Sequence, residues 1–135
     1  MKNQFTLTLD GPVKRNDYNK IDLSDVKAYN LENLYEKFEE MISEEASTFV
    51  GDVVRINNKL RLHRHRGPVH AEIKLLNSTF TSVEVTLKGD EKFASTLKKA
   101  EKEQFIHVLQ MMLEDYSKAF YSKAIELGFI KEERI

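Results

Sequence analysis

A chain of 135 residues that is 41% hydrophobic and 32% charged is sized and composed for one domain with one core. It contains no cysteine, which excludes disulfides, thiolate catalysis and cysteine-ligated zinc. The net charge of −1 hides an asymmetry: residues 31–49 hold six Glu against one Lys, while residues 53–76 hold four Arg and two Lys against one Glu. No apolar run approaches the length of a bilayer span, so no membrane contact is expected. The opening Met1-Lys2-Asn3-Gln4-Phe5-Thr6 lacks the apolar core of a signal peptide, so a cytoplasmic location is expected.

Residues 4–9 alternate, with Phe5, Leu7 and Leu9 on one side and Thr6 and Thr8 on the other, which predicts a strand ended by Asp10-Gly11-Pro12. Residues 13–29 are polar and long for a plain loop, and either a short extra strand or a flap is expected there. Asn30 is a helix N-cap candidate. Behind it Leu31, Leu34, Tyr35, Phe38, Met41, Ile42 and Phe49 keep the three-and-four spacing of an amphipathic helix, and Gly51 offers a stop.

From Val54 and Ile56 onward the pattern turns to alternation. Residues 60–75 read as a hairpin about Gly67-Pro68, pairing Arg66 with Val69, Arg64 with Ala71, Leu62 with Ile73 and Leu60 with Leu75. That register buries an aliphatic face and leaves Arg61, His63, His65, His70, Glu72 and Lys74 on the other. A turn at Asn77-Ser78 leads to a strand over 79–87, where alignment of Ile73 with Val83 and Ala71 with Val85 keeps the faces matched. Gly89-Asp90 then opens a helix over 91–127, stopped by Gly128 at C′ with Phe129 folded back on Ala124.

Unbroken, that helix would run about 55 Å at 1.5 Å per residue, more than one small sheet covers. It either breaks, or its far half rests on the N-terminal strand, a second subunit or a partner. Met111, Phe120, Tyr121, Phe129 and Ile130 are the residues expected at such a contact, and a homo-oligomer is expected with them. The fold class is α+β: N-terminal strand, helix, antiparallel β-meander and long C-terminal helix, with both helices on one face of the sheet. A single domain spans 1–135, made of the strand and irregular segment 1–29, an α-β-β-β-α unit 30–113 and a helical extension 114–135.

Two local motifs resemble the double-stranded RNA-binding domain. Gly67-Pro68-Val69-His70 looks like the Gly-Pro-x-His turn of that family, and Lys98-Lys99-Ala100-Glu101-Lys102 looks like the lysine-rich opening of its second helix. The resemblance covers roughly residues 30–113; Glu101 departs from it, standing where the family has a small alanine. It implies Lys98, Lys99 and Lys102 as phosphate contacts and His70 as a minor-groove contact, with Arg64 and Arg66 beside the turn adding to either. An A-form duplex hides its base edges, so such a protein would read phosphate spacing and minor-groove hydroxyls. The first expectation is therefore a non-enzymatic protein that binds structured nucleic acid, duplex RNA favoured, through a basic surface.

The alternative is a protein–protein interaction module such as an adaptor, an inhibitor or a mobile-element accessory protein, with the acidic first helix imitating nucleic-acid charge or the last helix docking a partner. A third reading uses His63, His65, His70 and Glu72 as ligands for zinc or manganese in a metal-dependent nuclease, with Tyr116 or Tyr121 as nucleophile. Histidines on an exposed strand are more often plain surface residues. There is no Gly-rich phosphate loop, no G-x-S-x-G and no H-E-x-x-H, so neither catalysis nor a cofactor is expected.

Overall fold

The computed structural model describes residues 4–10, 20–61, 69–89 and 98–131, with residues 55–61 described by backbone only. Five elements follow in chain order: β1 (Gln4–Thr8), α1 (Leu31–Arg61), β2 (Val69–Leu75), β3 (Ser82–Gly89) and α2 (Lys99–Glu126). The strands form one antiparallel sheet in the order β1-β3-β2. Val69, Ala71, Ile73, Val83, Val85 and Leu87 turn to the buried face, where both helices lie; this is the α+β arrangement expected from the sequence.

α1 starts as the sequence predicts and ends ten residues later. Asn30 caps it, accepting the Asn33 amide at 2.7 Å through Oδ1. Gly51 does not stop it, and the expected strand around Val54 and Ile56 is helix instead. The reason is a four-residue repeat that passes through the glycine: Leu34, Phe38, Ile42, Ala46, Val50 and Val54 are all buried on one stripe. A local helix penalty of about 1 kcal/mol at glycine is small against burying Val53 and Val54 beyond it.

The longer helix overturns the expected hairpin. Leu60 and Arg61 belong to α1, so the predicted pairing of Leu60 with Leu75 and the placing of Arg61 on the sheet do not occur; residues 62–68 lie outside the described ones. The edge of β2 that the hairpin would have filled is occupied by α1 itself. Ser47 Oγ accepts the Ala71 amide at 2.9 Å and donates to the Ala71 carbonyl at 2.9 Å. Ser43 Oγ accepts the Ile73 amide at 2.9 Å, and Glu39 accepts the Leu75 amide at 2.8 Å. Gly51 continues this stripe, with the position of its absent Cβ 3.8 Å from the Val69 carbonyl oxygen. Four helical residues rise about 6.0 Å and two strand residues about 6.6 Å, so the two rows stay in step over three repeats. A strand edge is thereby covered by a helix rather than left to pair.

The β2–β3 register also differs from expectation by two residues. Ile73 faces Val85 and Ala71 faces Leu87, so the faces match as predicted while the partners shift. The connection is longer than the sequence suggests: Leu76 still bonds Ser82, Asn77 Oδ1 accepts the amides of Thr81 and Ser82, and Phe80 takes a φ of 62°. That left-handed turn drives the Phe80 ring into the core, 5.4 Å from Phe38 and 5.8 Å from Phe120.

Residues 20–30 hold a turn with Leu23 buried, and no strand. At the other end α2 stops as predicted, with Gly128 at φ 78° and the Phe129 amide on the Ala124 carbonyl at 2.9 Å. Its C-terminal half is part of the core rather than an extension: Tyr116, Ala119, Phe120 and Ala124 share one buried cluster with Leu34 and Phe38. Among the described residues no helix is long and apolar enough to cross a membrane.

Candidate interaction groove

α1 carries a second stripe beside its buried one. Met41, Glu45, Thr48, Phe49 and Asp52 face along α2, where Val108, Met112 and Tyr116 repeat every four residues. The two helices leave between them an open groove of about 500 Å³. Its floor is apolar, made by Met41, Phe49, Val108 and Met112, and its rim carries Glu44, Glu45 and Asp52, with no basic residue among the described lining residues. All three carboxylate residues are solvent-exposed.

Tyr116 joins floor to rim. Its ring is buried against Phe38 and Phe120, and its hydroxyl donates to Glu45 at 2.5 Å. Burial, followed by the hydrogen bond to Glu45 and the negative charge around it, pushes the Tyr116 hydroxyl well above the usual tyrosine range. It stays protonated at neutral pH and serves as a donor to Glu45. Tyr121 is half-buried against the core.

Among the described residues the open face of the sheet carries balanced charge. Lys74 and Lys88 are matched there by Glu72 and Glu84. Glu72 is paired with Lys88, which holds its carboxyl below the usual range, and Glu84 accepts from Gln4 at 2.8 Å. His70 is exposed on this face opposite Lys88. Arg64, Arg66, His63 and His65 lie outside the described residues, and among the described ones no group of three His, Asp or Glu is placed to hold a metal ion.

Lys98, Lys99 and Lys102 are exposed in the first turn of α2. The ammonium of Lys102 sits over the Phe5 ring at 5.6 Å, on the helix-covered side of the sheet. The sheet therefore separates these lysines from His70. Glu101, only 3% exposed, accepts the Lys98 amide at 2.9 Å and closes the start of the helix, which gives the departure from the RNA-binding pattern a structural role. Of the residues expected at an oligomer contact, Met111 is 56% exposed, whereas Phe120 is fully buried in its own chain and Tyr121, Phe129 and Ile130 rest against the core. That expectation fails for Phe120 because the far half of α2 covers Phe38 and Phe80 instead of reaching outward.

Neither the groove nor the Glu39/Ser43/Ser47 row was read from the sequence. The signal for both is the same: side chains four apart along 39–52, on stripes flanking the obvious apolar one. No protein family matches this chain, and comparisons with curated proteins and with solved structures find no match.

Proposed function

We propose that the protein is a non-enzymatic interaction module whose α1–α2 groove takes a basic amphipathic segment of a partner protein. One observation carries this reading: an apolar floor with two methionines and a phenylalanine, rimmed by the exposed carboxylates of Glu44, Glu45 and Asp52. Such a groove suits a helix-in-groove contact, in which one or two apolar anchors fill the floor and lysine or arginine meets the rim. Methionine adapts to irregular partners, and the rim charges steer association and select against acidic segments. The test is fluorescence anisotropy with a labelled amphipathic Lys/Leu helix and its Glu/Leu counterpart. The basic peptide is expected to bind, weakening with salt, and Glu44→Lys with Asp52→Lys should cut its affinity at least tenfold. Equal binding of both peptides, or indifference to the two substitutions, removes the reading.

The nucleic-acid reading stands second, supported by one feature. Lys98 and Lys99 are exposed side by side, and among the described residues neither has a carboxylate partner. Together with Lys102 they would engage the phosphates of duplex RNA, a footprint that leaves out His70 on the other side of the sheet. A gel shift across a salt series tests it: replacing Lys98, Lys99 and Lys102 by Glu should abolish retardation, while the groove substitutions should leave it intact.

A further inference from the structure

The two edges of the sheet are treated differently. β2 is closed by Glu39, Ser43 and Ser47, whereas β1, the other edge, has its outward backbone groups unbonded among the described residues. Parity identifies those groups. The Leu9 amide bonds the Thr81 carbonyl at 2.9 Å, so Phe5 and Leu7 also point their amides and carbonyls at β3, while Gln4, Thr6 and Thr8 point theirs away. The strand Gln-Phe-Thr-Leu-Thr has no lysine, no proline and no other charge, the devices that usually blunt such an edge.

We infer that β1 is a pairing edge for a second copy of this chain, the two β1 strands running antiparallel about a two-fold axis at Thr6 to give one six-stranded sheet. Self-complementarity selects this occupant. With Thr6 opposite Thr6 of the second copy, Gln4 meets Thr8 and Phe5 meets Leu7, so apolar side chains join on the helix-covered face and uncharged polar ones on the open face. The three outward residues of each strand supply three amides and three carbonyls, and all are satisfied without bringing like charges together. The contact is independent of the α1–α2 groove, which lies along the helices rather than at this edge.

Light scattering on the intact chain should give a mass that rises from 15.7 kDa towards twice that value with concentration. Thr6→Pro removes an amide that bonds nothing among the described residues and keeps every bond to β3, and proline is tolerated on an edge strand. Thr6→Lys places two ammonium groups against each other across the axis while facing Glu84 within its own chain. Both variants should stay at 15.7 kDa and melt as the wild-type chain does at concentrations where it is monomeric. The register is checked in the cysteine-free background. Paired residues at the axis have Cα atoms about 5.5 Å apart, within disulfide reach, whereas the two Thr8 positions would be about 14 Å apart. Thr6→Cys should therefore cross-link on mild oxidation at least tenfold faster than Thr8→Cys. A chain that remains at 15.7 kDa at its highest soluble concentration, dimers indifferent to both Thr6 substitutions, or equal cross-linking at the two positions would each overturn the inference.

Discussion

The Tyr116 ring lies 6.3 Å from Phe38 and 6.2 Å from Phe120, while its hydroxyl reaches Glu45 on the groove rim. Because folding raises the pKa of this hydroxyl, the folded state holds its proton more tightly than the unfolded chain does. Below about pH 10 both states are protonated and the group gives stability no slope; above it the unfolded chain loses the proton first, so stability falls as pH rises. Tyr116→Phe is expected to flatten that alkaline decline, read by urea unfolding at stepped pH, and to cost about 1 kcal/mol near neutrality through the lost hydrogen bond. A second residue works in the opposite sense. The Ser117 hydroxyl is buried in the middle of α2 without a partner among the described residues. Ser117→Ala removes an unsatisfied polar group and improves helix propensity, so the urea midpoint should rise by the equivalent of about 1 kcal/mol.

At the scale of elements, α1 stands in for a strand. Ser43 and Ser47 satisfy backbone groups of Ile73 and Ala71 that would otherwise lie unpaired at a partly buried edge. Replacing either serine by Ala should cost about 1–3 kcal/mol, and hydrogen exchange at the Ile73 or Ala71 amide should speed up selectively. Gly51→Ala should do the reverse and stabilise by about 0.5–1 kcal/mol, because its backbone is helical and a methyl group 3.8 Å from the Val69 carbonyl oxygen makes ordinary contact. These outcomes bear on what the sequence could reveal. β1, the Asn30 cap, the core faces of β2 and β3 and the Gly128 stop were legible, because each depends on local periodicity or on a residue with a special backbone role. The boundary of α1 was not. Gly51 and the alternating Val54 and Ile56 speak locally for a break, and they are outweighed by burial of the 34–54 stripe together with the long-range match between the 39–51 stripe and the β2 edge. The groove escaped for the same reason: Glu44, Glu45 and Asp52 are ordinary exposed acids until Val108, Met112 and Tyr116 are brought beside them.

For the molecule as a whole, the question posed by a helix longer than its sheet is answered by what its far half covers. Phe120 lies 5.3 Å from Phe38 and 5.8 Å from Phe80, so one ring ties the C-terminal half of α2 to α1 and to the turn before β3. It is fully buried, as are both of those neighbours. Phe120→Ala removes that ring from three aromatic contacts and leaves a cavity the rigid surroundings close only in part, a change worth about 3–5 kcal/mol. Against a total stability of about 5–15 kcal/mol for a domain of ordinary size this is a large share, and it should appear as a lower urea midpoint with an unchanged slope. Met111, on the same helix but 56% exposed, should give less than about 0.5 kcal/mol when replaced by Ala. If the segment were an appendage waiting for a partner, the order would reverse: Phe120→Ala would spare the isolated chain and weaken only association. One core shared by α1, α2 and the Phe80 turn requires the first ordering, and unfolding curves of the two variants decide between them.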